Sequence, residues 1–451
     1  MEPFRHHVFV CTQSKPEGVT SCPSTGSMNV LGTLHGELGK QGLSGDVQVS
    51  SCGCLGLCDE GPIMIVYPEG TWYRKLTPAD VSEIVSSHLR DGHAVARLVW
   101  DDPPAMKAMA IDHTQKYLAM VKAKDDAGIL PDELNDLARG FMPARVLLTA
   151  LELDLFTAIG EGAKAELLAN KIGTQTRSTE MLLNALASLK LLEKRNGAFF
   201  NTDTTARFFT RNSRDNARPA LLHTANLWKR WSTLTDAVRE GTSVAERVSN
   251  DGWITAFIAA MDRNAQERAG AVVKTVASPR IKRVLDLGGG SGGYCIALAQ
   301  ALPDMHAEIV ETASVVALTQ EYVRNARLSD RISIRIGDML TDSLGEGFDL
   351  VLVSAICHMF SCEENRQLLH KVFNALAPGG QIVVQDFILE PDKTAPRAAA
   401  LFALNMLVGT AAGSSYSEPE YTSWLRDAGF ADIRRVRFPG SPSGLMIGVR
   451  V

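Results

Sequence analysis

The stretch Val284-Leu285-Asp286-Leu287-Gly288-Gly289-Gly290-Ser291-Gly292-Gly293-Tyr294 constrains this chain more than any other. Apolar residues surround one acid and run into glycines, and Tyr294-Cys295-Ile296-Ala297-Leu298-Ala299 follows. The pattern predicts a buried parallel strand, a tight turn and a helix. Glycines at such a turn let a ligand approach the backbone. Gly288, Gly290 and Gly293 satisfy the dinucleotide spacing, and Glu311 stands 22 residues after Gly289, where a ribose-binding acid is expected. NAD and S-adenosylmethionine (SAM) both suit that spacing. Asp286 favours SAM, because a carboxylate repels a pyrophosphate and attracts the cationic amino-acid end of SAM.

The domain that carries this stretch is expected over 276–451. Strands at 283–287, 307–310, 332–336, 348–353 and 381–387 alternate with helices, which predicts a parallel sheet covered on both faces. Ligands bind beyond the carboxyl ends of such strands. Asp286, Glu311, Asp338 and Asp386 fall at four of those ends, with Met339 beside the third and Ser354 to His358 at the fourth.

Composition excludes several classes. Of 451 residues, 45% are hydrophobic and 22% charged, an ordinary globular balance. The net charge of −5 argues against a general nucleic-acid binder. No stretch approaches roughly 18 consecutive apolar residues, so no membrane span is expected. The first residues lack the apolar core of a signal peptide, and a cytoplasmic location is expected. The eight cysteines then read as thiols or metal ligands.

Five of those cysteines, Cys11, Cys22, Cys52, Cys54 and Cys58, lie within 58 residues. Short strands are predicted near 7–10, 46–50, 63–67 and 71–74, with helices at 28–40 and from Pro78 to about Arg90, the second capped by Thr77. This part, 1–95, resembles the thioredoxin-like [2Fe-2S] ferredoxins. The resemblance rests on Cys11, ten residues, Cys22, 31 residues and Cys54-x-x-x-Cys58, followed by Gly61-Pro62-Ile63-Met64-Ile65-Val66-Tyr67-Pro68-Glu69-Gly70-Thr71-Trp72-Tyr73. It implies a [2Fe-2S] cluster on Cys11, Cys22, Cys54 and Cys58, with Cys52 the alternative to Cys54, and a redox-active cluster implies an electron-transfer partner.

Residues 96–130 read as a linker, helical over 105–124, after the break at Asp101-Asp102-Pro103-Pro104. Residues 131–275 read as helical, with helices at 163–172 and 178–192, a small wing at Phe199-Phe200 and a helical 219–275. This is a winged-helix pattern, but Ser178 to Ala187 carries no Arg or Lys, which argues against DNA reading. Ala144 to Phe156 and Leu182 to Glu193 resemble the dimerisation domain of caffeate/acetylserotonin-type O-methyltransferases, which implies a homodimer. The domain over 276–451 resembles the class I SAM-dependent catalytic domain of the same family, through Asp286 to Gly292, Gly337-Asp338, Ala377-Pro378-Gly379-Gly380 and Leu425 to Phe430.

That resemblance implies SAM held by Asp286, Gly288, Gly290, Glu311, Asp338, Met339 and Ser354. His358, in Cys357-His358-Met359-Phe360, aligns with the family's base, and Asp386 with an acid that flanks it. Met261, Asn405 and Met406 align with acceptor-binding positions. A second flanking acid, expected near Ser414-Ser415-Tyr416, is missing, and Met359 stands where the family has Asp or Asn. The expected activity is methyl transfer to a hydroxyl of a small aromatic, heterocyclic or quinone-like acceptor. A hydroxybenzimidazole would suit an iron–sulfur context, though no residue selects it. Two other readings are a ferredoxin-linked oxidoreductase and a redox-sensing binding protein on a methyltransferase fold.

Overall fold

A computed structural model describes residues 3–15, 19–246 and 251–451. The chain divides into two compact units, Met1–Gly140 and Phe141–Val451.

The first unit is built on a four-stranded sheet of order β2-β1-β3-β4. Strand β1 (His6–Cys11) runs parallel to β2 (Val47–Cys52) and antiparallel to β3 (Met64–Tyr67), which turns back into β4 (Thr71–Tyr73). A helix Ser27–Lys40 and a helix Pro78–Glu83, prolonged as a π-helical segment to Arg90, bury Val30, Leu34, Val81, Ile84 and Leu89 against the sheet. Thr77 and Asp80 form the capping box that starts the second helix.

The stretch expected as a linker belongs to this unit. A helix Pro103–Asp126 begins where the Asp102 carboxylate accepts from the Ala105 N–H (3.0 Å). Its Met106, Met109 and Ala110 pack on an apolar cluster with Cys11, Cys22, Leu57, Ile63 and Trp100. At Gly56 a Cβ would stand 2.9 Å from the Ala110 Cα, so the helix meets the loop between Cys54 and Cys58 backbone to backbone.

The second unit opens with helices Phe141–Glu152, Leu155–Ile159, Ala165–Ile172 and Thr176–Ser188, then a wing of β5 (Leu192–Arg195) and β6 (Ala198–Asn201). Leu151, Phe156, Leu168, Leu183, Leu186 and Phe199 form its core. The helix expected to reach 192 stops at Ser188, and Lys190 takes a left-handed φ of 59°. Among the described residues four helices follow, Asp203–Phe209, Arg218–Trp231, Leu234–Glu240 and Asp251–Val276.

The remainder is a seven-stranded sheet of order β12-β13-β11-β10-β7-β8-β9. Its strands are β7 (Arg283–Leu287), β8 (His306–Glu311), β9 (Ile332–Ile336), β10 (Phe348–Ser354), β11 (Leu376–Asp386), β12 (Phe430–Arg437) and β13 (Gly444–Arg450). The first five are mutually parallel, as the alternation predicts. Beyond these five the chain adds a closing hairpin, in which β13 enters antiparallel between β11 and β12. Strand order reverses between β7 and β10, which opens a crevice at their carboxyl ends.

Candidate active site

Strand β7 delivers Asp286 to that crevice, 1% exposed between fully buried apolar neighbours. The first two glycines of the loop after it have no room for a side chain. A Cβ on Gly289 would stand 2.7 Å from Asp286 Oδ2 and 2.9 Å from Ile309, and Gly288, at φ 66°, faces Ile356 and the Met339 methyl. The loop is held from both sides. Glu311, at the end of β8, accepts from the Gly290 N–H (3.0 Å), and Thr319 donates to the Gly290 carbonyl (2.6 Å).

Asp286 and Glu311 are both driven toward protonation at this crevice. Burial pushes Asp286 up to about 7, although Cys295 donates to it (3.4 Å). Its Oδ1 is buried and has no partner among the described residues. An acid in that condition is satisfied by a cationic or donating ligand, so the residues fit the ammonium end of SAM. Burial also raises Glu311. Met339 lies against Gly288, and Ser354 ends β10 in register with Gln385. Asp338 is exposed and closes its own turn by accepting from the Leu340 N–H (2.8 Å).

His358 follows β10 on a single helical turn, 7% exposed. Four donors converge on Asp386 at the end of β11: His358 Nδ1 at 2.7 Å, the His358 N–H at 3.2 Å, the Phe387 N–H at 2.8 Å and the Tyr421 hydroxyl at 3.2 Å. A carboxylate so placed only accepts, which assigns the ring proton to Nδ1 and leaves the Nε2 lone pair open. No described residue bonds Nε2. Phe402 packs on the ring at 4.8 Å and stacks on Phe387 at 4.1 Å. Among the described residues no second acid is bonded to the histidine. Just before Ser414-Ser415-Tyr416, where one was expected, Gly413 packs so closely on the His358 carbonyl that a Cβ would overlap it.

The helix Asp251–Val276 joins the two halves of the crevice. Trp253, Phe257 and Met261 recur at every fourth position, and the first two rings stack at 5.4 Å. His223 meets Phe257 at 5.2 Å and Trp253 at 6.2 Å. Lower on the same helix, Ile258 reaches Gly290 and Ala265 reaches Gly293. Asn405, on the helix Arg397–Gly409, accepts from the Trp231 indole N–H (2.9 Å), which leaves its amide donors for a ligand. Met406, one residue on, is 8% exposed.

In the first unit the expected ligands form two pairs. Cys54 and Cys58 place their sulfurs 3.6 Å apart, and the Gly56 N–H bonds the Cys54 sulfur (3.3 Å). Cys11 and Cys22 are hydrogen-bonded to each other, which lowers Cys11 to about 6 and raises Cys22. Burial alone would lower the Lys15 amine, but the Cys58 thiol beside it leaves it raised. Cys52 is paired with Cys11 across β1 and β2, and burial raises it to about 11. Among the described residues no three His, Cys, Asp or Glu converge as a site for a single metal ion.

Comparison with known proteins decides the family. Residues 231–431 match an O-methyltransferase domain, 135–212 an O-methyltransferase dimerisation domain, and 2–88 a thioredoxin-like [2Fe-2S] ferredoxin. A 3-hydroxy-5-methyl-1-naphthoate 3-O-methyltransferase of Streptomyces sahachiroi is 33% identical over 334 residues, 71% of this chain and 95% of that protein. This chain belongs to the O-methyltransferase family.

Bovine (Bos taurus) acetylserotonin O-methyltransferase is 30% identical over 68% of the chain and 94% of its own length. The solved structure of human N-acetylserotonin methyltransferase with SAM superposes with a TM-score of 0.64 at 26% identity, covering 71% of this chain and 97% of that one. The chain is thus a SAM-dependent methyltransferase with its family's fold, and it carries a thioredoxin-like domain in front.

Several residues at the methyltransferase crevice escape a reading of the sequence. Asp262 is bonded to Ser291 of the glycine loop and to Gln266 (2.7 Å), and burial raises it. An acid on an otherwise apolar helix face, directly after Met261, was the available signal. Tyr421 lies 35 residues from Asp386 and opens no motif. Arg230 and His223 lie on a helix whose pattern reads as ordinary core.

Proposed function

We propose that this methyltransferase acts on the hydroxyl of a small aromatic acceptor, with His358 as general base. The observation that carries the reading is the His358–Asp386 pair, whose open Nε2 stands at the carboxyl end of β10 beside an aromatic wall. The named relatives act on a naphthoate hydroxyl and on acetylserotonin, both hydroxylated aromatics.

SAM, bound at the glycine loop, supplies an electrophilic methyl group. Asp286, Gly288, Gly290, Glu311, Met339 and Ser354 would hold it, with Asp262 a further acid at the loop and Asp338 the outermost member. The rest is done by the chain's own side chains. A phenol with a pKa near 10 must lose its proton to become a good nucleophile, and a neutral imidazole suits that transfer. Asp386 keeps the proton on Nδ1 and steadies the cation that forms. Trp253, Phe257, Met261, Phe402 and Met406 exclude water and fix the acceptor ring, and Asn405 offers it amide donors. Two chains would associate through the dimerisation domain as a homodimer.

The same reading places a [2Fe-2S] cluster on Cys11, Cys22, Cys54 and Cys58. Two sulfurs on one tetrahedral metal ion with bonds of about 2.3 Å sit roughly 3.8 Å apart, and Cys54 and Cys58 have nearly that spacing. Cys11 and Cys22 form a second, hydrogen-bonded pair, and two pairs suit two irons better than one ion. This supports Cys54 over Cys52. Methylation of a phenolate requires no electron, so an electron donor would serve the cluster alone.

The test is substitution of His358 by Ala. Turnover should fall far more than affinity for S-adenosylhomocysteine, measured by calorimetry. Equal turnover in the variant would remove the base from the account.

A further inference from the structure

A cleft at the end of the helix Arg397–Gly409 holds a cation that methyl transfer to a neutral phenol leaves idle. Arg230, on the helix Arg218–Trp231, sets its guanidinium 5.1 Å from the Trp253 ring centre. A Cβ on Gly409 would stand 3.4 Å from its Nη1. The group lines a cleft of about 280 Å³ with Thr242, Ser243, Gly409, Thr410 and Ala411, and the exposed Glu246 borders the same cleft. Among the described residues no carboxylate lies within ion-pair distance of it. Burial lowers its pKa, and no acid offsets that.

The cleft's hydroxyls already donate to backbone carbonyls. Thr242 bonds Ala411 (2.9 Å), Ser243 bonds Val408 (2.8 Å) and Thr410 bonds Met406 (2.7 Å). The open donors are therefore the N–H groups of Arg230. His223 adds no charge, since burial and the nearby Arg230 push it down to about 4. A partly desolvated guanidinium without a counter-ion is a site for a planar oxyanion, which it can grip through two parallel hydrogen bonds.

The helix Arg397–Gly409 fixes where that oxyanion would stand. Phe402 touches His358 and Gly409 touches Arg230. Seven residues of helix separate them by about 10 Å. Between the two ends, on the same helix, lie Asn405 and Met406, and the Trp253 ring stands beside the guanidinium at the far end. An aromatic ring on that platform meets the base on one side and the guanidinium on the other. We propose that Arg230 binds a carboxylate of the acceptor, so that the substrate class is an aromatic hydroxy acid. The proposal rests on the reading of His358 as the base for an acceptor hydroxyl, and it names what the far end of that acceptor carries.

The test uses the full chain saturated with S-adenosylhomocysteine. Hydroxybenzoates and hydroxynaphthoates, with the hydroxyl at several ring positions, are titrated by calorimetry alongside their methyl esters. At least one acid should bind on the order of 10- to 100-fold more tightly than its ester, the worth of one charge-assisted hydrogen-bond pair. Arg230→Met should reduce that acid to the affinity of its ester, with Arg230→Lys between them and S-adenosylhomocysteine affinity unchanged in both. If every acid binds no better than its ester, or if Arg230→Met keeps the preference, the proposal is wrong. A parallel assay of methyl transfer separates the two failures. Methylation of the esters and neutral phenols without any preference for acids overturns the role of Arg230 and leaves the base reading intact.

Discussion

Asp386 holds His358 at two points: Oδ1 lies 2.7 Å from Nδ1 of the ring, and Oδ2 accepts from the histidine's own backbone N–H at 3.2 Å. Ring orientation and chain position thus answer to one carboxylate. Tyr421 donates to the same Oδ2 at 3.2 Å.

Asp386→Asn should therefore lower kcat on the order of 100-fold or more, because an amide can present a donor to Nδ1 and release the ring's tautomer. Affinity for S-adenosylhomocysteine should change little. Tyr421→Phe should give a smaller loss of the same kind. Single-turnover methyl transfer, compared with calorimetry, checks both.

Asp286 should weaken the unliganded protein while serving the liganded one. Its folded pKa of about 7 exceeds the ordinary aspartate value of 3.8. Its favourable contribution is complete below pH ~4 and is lost as pH rises through about 7, where the buried carboxyl must ionise. Asp286→Asn should then melt at a higher temperature than the wild type at pH 8 and at a similar one at pH 4, by up to about 4 kcal/mol in stability. The same variant should lose SAM binding. In the wild type, SAM affinity should rise as pH increases through 7. Melting curves from pH 4 to 8 and calorimetry with SAM test each part.

The glycine loop was legible because its demand is local. Gly289 has no room for a Cβ beside Asp286, and a sequence records that as a glycine. The acids at the strand ends were legible for a related reason, since alternation of strand and helix fixes which end of each strand faces the crevice. His358 came from its motif, not from any periodicity. What stayed hidden is set by contacts between distant residues. Tyr421 reaches Asp386 across 35 positions, and Trp231 reaches Asn405 across 174. The β12–β13 hairpin lies after the last helix of the alternating pattern, so nothing local announced that β13 reverses. The helix at 103–126 was visible as a helix, but the short face of Met106, Met109 and Ala110 that meets the cysteine loop was not.

The proposed cluster takes Cys54 as a ligand in preference to Cys52. Cys54→Ser should lower iron content and bleach the visible absorption of a [2Fe-2S] cluster in anaerobically purified protein. Cys52→Ser should retain both. Iron analysis with the absorption spectrum decides the matter, and loss of iron in Cys52→Ser with retention in Cys54→Ser would reverse the assignment.

The central claim is that His358 deprotonates an acceptor hydroxyl at a SAM-loaded crevice. The most direct measurement is transfer of labelled methyl from SAM to a panel of hydroxyaromatics, with wild-type and His358→Ala protein prepared anaerobically, the cluster oxidised in one set and reduced in another. The account predicts a labelled methyl ether from the wild type in both redox states, and a turnover lower by about 100-fold or more in the variant. Equal transfer by the two proteins, or label on carbon or nitrogen in place of the hydroxyl oxygen, would contradict it.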